Sequence, residues 1–84
     1  QPKLIVCLGR IAAMRLIRKD FRISREHGQW EQRGGIWFTA MYHPAALLRD
    51  DAKKPQTFYD LKSLQYQLFK VCPEIYAAKG IARP

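Results

Sequence analysis

The chain has 84 residues, which is enough for at most one small domain. Hydrophobic residues make up 48% and aromatic residues 12% of the sequence, a composition too apolar for a disordered segment. The formal net charge of +8 at pH 7 favours a polyanionic partner, above all nucleic acid, over a basic surface kept only for solubility.

The cysteines and the hydropathy pattern indicate a cellular compartment. Cys7 and Cys72 lie far apart in unlike contexts, which does not indicate a disulfide framework. No apolar run approaches the roughly 20 residues that span a bilayer, and the sequence does not open like a signal peptide. We therefore predict an intracellular, cytoplasmic protein in a reducing compartment, with no membrane partner. Because an apolar strand follows Gln1 almost at once and no methionine precedes it, we also expect the chain to begin within a longer protein.

The first predicted elements are a strand and a helix. The run Leu4 to Leu8 is continuous and apolar, as in a strand buried on both faces of a parallel sheet, and Gly9 permits a tight turn. From Arg10 to about Lys19, apolar residues recur at helical spacing, while Arg15 and Arg18 lie on the other side with Lys19 and predict a solvated outer face. A strand, a turn and a helix in this order favour an α/β fold.

The middle of the chain predicts a connection followed by a hairpin. Between Asp20 and Gln32 the periodicity weakens, and His27 is expected to be a solvated residue of this connection. The pair Gly34-Gly35 predicts a turn between a short arm, Gln29 to Arg33, and a better strand, Ile36 to Tyr42. Apolar side chains on both faces of the second arm indicate a strand covered on both sides.

The last clear element is a helix that follows Asp50. Asp50 and Asp51 are predicted to supply its N-cap and first-turn acids, and Pro73 is predicted to end it. Residues 75–84 show no clear period and predict a short helix or a frayed tail. The apolar positions of the helix recur at helical spacing, so that one face is expected to pack on a sheet. These positions are Phe58, Leu61, Leu64 and Leu68.

The segment between the second strand and this helix has an unusual composition. It runs from Met41 to Arg49 and places apolar bulk beside a histidine and a cation, where a routine connection carries Gly, Asn, Asp or Ser. We interpret it as a contact loop. The alternatives are a His43 satisfied by backbone at a strand end and, for Leu47 and above all Leu48, packing in the core.

These residues carry a resemblance to a known family, the uracil-DNA glycosylases of the iron-sulfur type, family 4. The chain resembles the C-terminal half of such enzymes from about Pro2 to Leu68, and the His-Pro-Ala-Ala-Leu-Leu-Arg stretch is the strongest part. The similarity rests on Pro2 to Gly9, Gly28-Gln29-Trp30, Tyr42 to Arg49 and Asp60-Leu61. It implies a partial three-layer α/β/α fold around a mostly parallel sheet, with residues 1–84 as a single domain or domain fragment. It also implies that the protein removes uracil from DNA by hydrolysing the N-glycosidic bond.

The resemblance implies roles for the histidine and the leucines. His43 takes the place of the histidine that donates a hydrogen bond to the departing uracil, whose negative charge grows as the bond breaks. Pro44 would limit the backbone beside this donor. Leu47, with Leu48 as its neighbour, takes the place of the apolar wedge that fills the base stack after the target base has left it.

Further residues of the segment, and two lysines that follow it, would contact the DNA backbone according to the same resemblance. Ala45 and Ala46 would let the main chain approach a phosphate closely. Arg49, Lys53 and Lys54 would add salt-sensitive phosphate contacts that carry no sequence information.

The sequence also departs from the family pattern. Met41 stands where the family commonly has threonine, and His27 stands where arginine is usual. The family's Gly-Glu-Ala-Pro-Gly-type motif, which positions water, and its base-reading asparagine are absent from this chain. We therefore expect that the N-terminal remainder of the domain is missing and that the isolated chain is inactive.

The cofactor expectation follows from the same comparison. The four cysteines that bind the 4Fe-4S cluster of the family lie upstream of the matching region, and Cys7 and Cys72 correspond to none of them. His27 and His43 add no short paired spacing of the kind that zinc sites use. We predict no cofactor and no metal site in this chain, and a cluster only in the full-length family.

Two other classes of function are left open. A basic α/β module that binds nucleic acid without chemistry would bind uracil-free DNA equally well, and its affinity would fall steeply with salt. A small subunit that docks on another protein through a sheet edge would self-associate when alone.

Overall fold

The computed structural model describes residues 3–74, which form a three-stranded mixed sheet with helices packed around it. The strands are β1 (Leu4–Leu8), β2 (Glu31–Arg33) and β3 (Ile36–Met41), in the spatial order β1-β3-β2. The helices are α1 (Arg10–Leu16), α2 (Ile23–Glu26), α3 (Pro44–Arg49) and α4 (Lys53–Val71). The expectation for residues 75–84 lies outside the described residues.

The sheet combines one parallel and one antiparallel pair. Strands β1 and β3 are parallel, with Leu4 opposite Trp37, while β2 and β3 form a hairpin. Gly34 and Gly35 make its turn with φ values of 54° and 81°, a region that glycine adopts without a steric penalty. The predicted βα unit, the parallel pairing and the hairpin are confirmed. The α/β class is confirmed as well, and the arrangement is consistent with a partial three-layer fold.

The core lies between the sheet and α1. Cys7 and Ala40 are opposite each other on β1 and β3, and they pack with Ala13, Ile17 and Phe21. The side chains of Ala13 and Ala40 are completely buried, and their small size lets α1 approach the sheet closely. Full burial of a side chain as large as Ile17 or Phe21 stabilises a fold by about 1.5–3 kcal/mol. This packing fixes the end of β1 beside the end of β3.

The connection from α1 to β2 is more ordered than the sequence pattern predicts. It contains the helical turn α2, which has no apolar period of its own. His27 follows α2, and its Nδ1 atom donates a hydrogen bond to Oδ2 of Asp60 at 2.7 Å. The side chains are only 15% and 9% exposed, and the His27 ring lies 4.7 Å from the ring of Tyr42. The prediction that His27 is solvated is wrong, because α4 carries a carboxylate to it from a distant part of the sequence.

The cations of α1 and the residues that follow it do not form one uniform outer face. The guanidinium of Arg18 contacts the carboxylates of Glu26 and Glu31, and so joins the end of α1 to α2 and β2. Arg15 and Lys19 are exposed and lack an acidic partner among the described residues. The predicted solvated face therefore holds for Arg15 and Lys19, whereas Arg18 has a structural role.

The start of α4 differs from the prediction. Its N-cap is Ala52, which offers no side-chain hydrogen bond, and Asp50 instead ends α3. The Oδ1 atom of Asp50 accepts the backbone N–H of Ala52 at 3.0 Å, which closes the turn between the two helices. Asp51 precedes the helix and contacts Lys54 at 2.9 Å. The predicted end before Pro73 is confirmed, since the helix runs to Val71.

The predicted apolar face of α4 is not the face that packs. Phe58 is 57% exposed and Leu61 is 46% exposed, whereas Thr57 and Asp60 are the buried residues of the helix. Polar contacts hold the inner face. Asp60 binds His27, and Oγ of Ser63 accepts a 2.9 Å hydrogen bond from the indole N–H of Trp30. The expectation that the apolar face packs on the sheet is therefore wrong, because specific polar pairs orient the helix.

Candidate functional site

The segment singled out from the sequence lies where the parallel strands β1 and β3 end. His43 follows β3, and residues Pro44–Arg49 form the short helix α3 rather than the predicted loop. Proline suits the first helical position because its missing N–H would have no partner there. The backbone N–H of Gly9 donates to the carbonyl of Met41 at 2.8 Å, which joins the turn after β1 to the strand end.

The imidazole of His43 is held in one orientation and one tautomer. His43 is the N-cap of α3, and its Nδ1 atom accepts a hydrogen bond from the backbone N–H of Ala45 at 3.1 Å. A neutral imidazole has one acceptor nitrogen and one donor nitrogen, so that Nε2 carries the hydrogen. The residue is exposed, and Nε2 has no hydrogen-bond partner in the part of the chain that the structure describes. The backbone therefore satisfies one nitrogen and leaves the other as an available donor.

Gly9 allows the turn after β1 to pass close to this histidine. Its φ of 90° lies in the left-handed region, and a Cβ atom built on it would lie 3.1 Å from the Cβ atom of His43. A side chain at this position would be strained and would also press on the His43 side chain. The glycine predicted from the sequence as a turn residue is therefore part of the site.

A cavity of about 220 Å³ opens beside His43. This volume lies below the roughly 300 Å³ of the smallest usual ligand pockets. Among the described residues no acidic side chain lines it, and cations contribute much of its wall. The lining residues are Gly9, Arg10, Ile23, Tyr42, His43, Ala46, Arg49 and Lys53.

The cations predicted to contact phosphates differ in whether an acidic side chain already pairs with them. Arg49 is exposed at the end of α3 and has no ion pair among the described residues. The Nζ atom of Lys53 lies 3.0 Å from Oδ2 of Asp50 and 5.4 Å from the centre of the Tyr42 ring. This lysine, through its hydrogen bond, lowers the pKa of the Asp50 carboxyl, and the N–H of Ala52 lowers it further. Arg49 is thus the cation of the segment with an uncommitted charge, while Lys53 and Lys54 both contact acids.

The small and apolar residues of the segment are presented unequally. Leu48 is 84% exposed, whereas Leu47 is half-buried. The expectation that Leu48 packs in the core is wrong, because the helical turn of α3 directs it into solvent. Pro44 and Ala45 are exposed as well, and Ala46 lines the cavity.

Both cysteines are buried and unpaired. Cys7 is buried in the core, and burial raises the pKa of its thiol, which disfavours the thiolate form that binds metals. Cys72 is also buried and unpaired. Within residues 3–74 there is no group of three or more His, Cys, Asp or Glu side chains that could hold a metal ion. No helix in these residues is long and apolar enough to span a bilayer.

Two features of the site were missed by the sequence analysis. Arg10 lines the cavity although only its helical position was noted, and Tyr42 forms the cavity wall that rests on His27. The support behind Tyr42 comes from His27, which binds Asp60, and Asp60 belongs to the stretches that carry the resemblance. That His27 is the partner of Asp60 could not be derived from sequence spacing.

The fold places the protein in the α/β class, with a helix capped by His43 at the ends of the parallel strands. The comparison with known families makes this assignment more specific. The sequence model of the Uracil DNA glycosylase superfamily matches residues 1–63 of the 84-residue chain. The chain belongs to this superfamily. The resemblance found in the sequence is thereby confirmed at the level of the superfamily, and the assignment to family 4 stays a prediction.

Proposed function

We propose that the protein excises uracil from DNA by hydrolysing the N-glycosidic bond, with His43 as the hydrogen-bond donor to the departing base. Membership of the superfamily supports the reaction class. The observation that carries the role of His43 is the bond from Ala45 N–H to its Nδ1 atom, which leaves Nε2–H as a donor at the cavity.

The chemistry of the bond explains why such a donor matters. As the glycosidic bond lengthens, the sugar becomes cationic and the uracil oxygens gain negative charge. A donor that is already fixed stabilises this charge more strongly than it stabilises the neutral base, and it does not need to reorganise during the reaction. The backbone bond to Nδ1 and the close turn at Gly9 supply that fixation.

Base extrusion is the second part of the proposal. The target base must leave the duplex, and a side chain has to replace it in the stack. The family resemblance assigns this wedge to Leu47, and Leu48 is the more exposed neighbour. Leu47→Ala and Leu48→Ala variants compared on uracil paired with guanine or adenine distinguish the two. We expect Leu47→Ala to lose more activity, and a larger loss for Leu48→Ala would reassign the wedge.

Backbone contacts complete the interface. We assign phosphate binding to Arg49 and to the main chain at Ala45 and Ala46, with Lys53 and Lys54 at the edge of the surface. Arg49 is expected to contribute most, because its charge is not engaged within the described residues. The two lysines would have to share their charge with Asp50 and Asp51.

Water activation needs a group from elsewhere. Within residues 3–74 the cavity wall contains no acid, and the water-positioning motif of the family is absent from the sequence. We therefore propose that these residues supply half of an active site and that an N-terminal part of the domain completes it. The family 4 assignment, with a 4Fe-4S cluster bound upstream, and the cytoplasmic location belong to the same proposal.

A uracil-excision assay tests the role of His43, and it uses the full-length protein with the proposed N-terminal part, called the full chain below to distinguish it from the isolated 84 residues. His43→Ala is expected to lower kcat by about 10²–10³-fold, the usual effect of removing one fixed donor to a developing oxyanion. His43→Gln is the matched variant, since its amide N–H can restore part of the donation. Circular dichroism and binding to uracil-free duplex serve as controls and should not change. Full activity in His43→Ala would overturn the assignment.

The isolated 84 residues provide a second test. We expect no turnover from them, because they lack the water-positioning motif. Turnover that His43→Ala abolishes would show that the acid lies within these residues after all.

A non-catalytic nucleic-acid-binding module remains the second candidate, and the net charge of +8 favours it. Binding by the full chain that does not distinguish uracil-containing from uracil-free duplex, together with no excision, would support this alternative.

A further inference from the structure

Arg10 connects the His43 cavity to a longer cationic surface. It lines the cavity beside His43 and Arg49, and it also lines a second cavity of about 410 Å³ together with Lys19 and Arg22. Ile23 is shared by these two cavities as well. The recesses therefore meet at Arg10, and we call the second recess the Arg10 groove.

The groove continues along α1. A third recess of about 440 Å³ is lined by Arg10, Arg15 and Lys19, with Ile11 and Met14 as its apolar part. Met14 and Lys19 are shared with the Arg10 groove. Cations thus follow one another from the end of α3, past the turn at Gly9, to the end of α1.

Two arginines of this surface have no acidic partner among the described residues, unlike an arginine next to it. Among residues 3–74, the side chains of Arg10 and Arg22 have no ion pair. Arg18, on the adjacent surface, contacts Glu26 and Glu31. The acids available near the groove are therefore already used by a cation outside it.

Of the residues that the structure describes, one acid lines the groove, and a cation lies close to it. This residue is Asp20, whose Oδ1 atom lies 3.6 Å from Nε of Arg18. A concave surface with unpaired arginines and almost no acid suits a chain of phosphates. The apolar side chains of Ile11 and Met14 offer contact to the sugars between the phosphates.

We propose that Arg10 and Arg22 bind consecutive phosphates of the DNA strand and extend the DNA contact surface beyond the His43 segment along α1. The proposal rests on the proposed function for the identity of the polyanion. It adds residues that neither the family resemblance nor the composition assigned.

Salt-dependent DNA binding by the full chain tests the proposal. Each phosphate contact contributes about 0.9 to the slope of log affinity against log salt concentration. Arg10→Gln should therefore lower the slope by about 0.9, so that the ratio of its Kd to that of the wild type shrinks about 3.5-fold between 50 and 200 mM salt. The double variant Arg10→Gln/Arg22→Gln should lose about twice as much slope.

Arg25→Gln is the matched control. Arg25 is exposed on α2 and lines none of the three recesses, yet its removal changes the net charge equally. The slope should not change in this variant. Equal effects of Arg10→Gln and Arg25→Gln would show that only net charge matters and would overturn the proposal.

The substrate used for binding separates this proposal from the proposed function. Slopes are measured on a uracil-free duplex, and excision is measured separately on a uracil-containing duplex. A chain that excises uracil but shows no slope change in Arg10→Gln refutes the groove alone. A chain that shows the slope change but no excision refutes the glycosylase function alone. Binding to single-stranded RNA with the same slope change and none to DNA would also overturn the proposal.

Discussion

The contact between His27 and Asp60 should be the strongest single polar link between α4 and the rest of the fold. Its 2.7 Å hydrogen bond joins side chains that are only 15% and 9% exposed. His27→Ala, Asp60→Ala and the double variant form a thermodynamic cycle that measures the coupling directly. The ring of Tyr42, which lines the His43 cavity, lies against His27, so the pair also supports the candidate site.

The expected size of the coupling free energy between His27 and Asp60 follows from the burial of both side chains. A hydrogen bond to a charged group contributes about 1.5–3 kcal/mol, and a buried polar group that loses its partner costs about 1–3 kcal/mol. We expect a coupling free energy of about 1.5–3 kcal/mol. His27→Ala should destabilise more than Asp60→Ala, because it leaves a carboxylate buried without its donor and removes the ring contact with Tyr42.

Urea unfolding of the full chain and its three variants provides the measurement. The exposed pair of Lys54 and Asp51 serves as the control cycle, since an ion pair on the surface typically couples by only about 0.2–1 kcal/mol. Additive effects at His27 and Asp60, or a coupling no larger than that of the control pair, would refute the assigned role.

Three further predictions concern stability and reactivity. Gly28→Ala should destabilise the fold by about 2–5 kcal/mol in urea unfolding, because the new Cβ would overlap the carboxylate of Asp60. Gly34→Ala is its control: the new Cβ meets no atom within 4 Å, so the variant should cost only about 1–2 kcal/mol for its positive φ. Thr39→Val should leave stability unchanged or raise it by about 1 kcal/mol, because the buried hydroxyl has no hydrogen-bond partner among the described residues; a loss of more than about 1 kcal/mol would reveal one. In a Cys72→Ser background, Cys7 should react with a disulfide reagent only after unfolding, and rapid labelling of the native state would contradict its burial. Because burial raises the pKa of the Cys7 thiol, the stability that this residue contributes is present at neutral pH and declines as pH rises through the raised pKa.

Much of the local structure could be predicted from the sequence. The continuous apolar run of β1, the glycine pair of the hairpin and the helical spacing of α1 and α4 are short-range patterns, and the structure confirms each element. The His43 segment was also recognised as the candidate site, because its composition does not suit a routine connection. The choice of this segment as the site, and the role of each of its residues, remain proposals.

Other features could not be derived from periodicity. The apolar spacing of Phe58 and Leu61 predicted the helix correctly but not the face that packs, since the contacts of Asp60 and Ser63 orient α4. His27 looked like a loop residue because its partner is 33 positions away.

The sequence by itself determined the three strands and the helices α1 and α4, and it singled out one short segment as the candidate site, because these depend on neighbours within a few residues. Only the tertiary structure decided that the turn at Gly9 passes against His43, that Asp60 is buried against His27, and that Arg10 joins the cavity to a cationic groove. The physical reason is that hydrogen bonding, burial and the sharing of charge depend on distances in space, which side chains acquire only when the elements pack together.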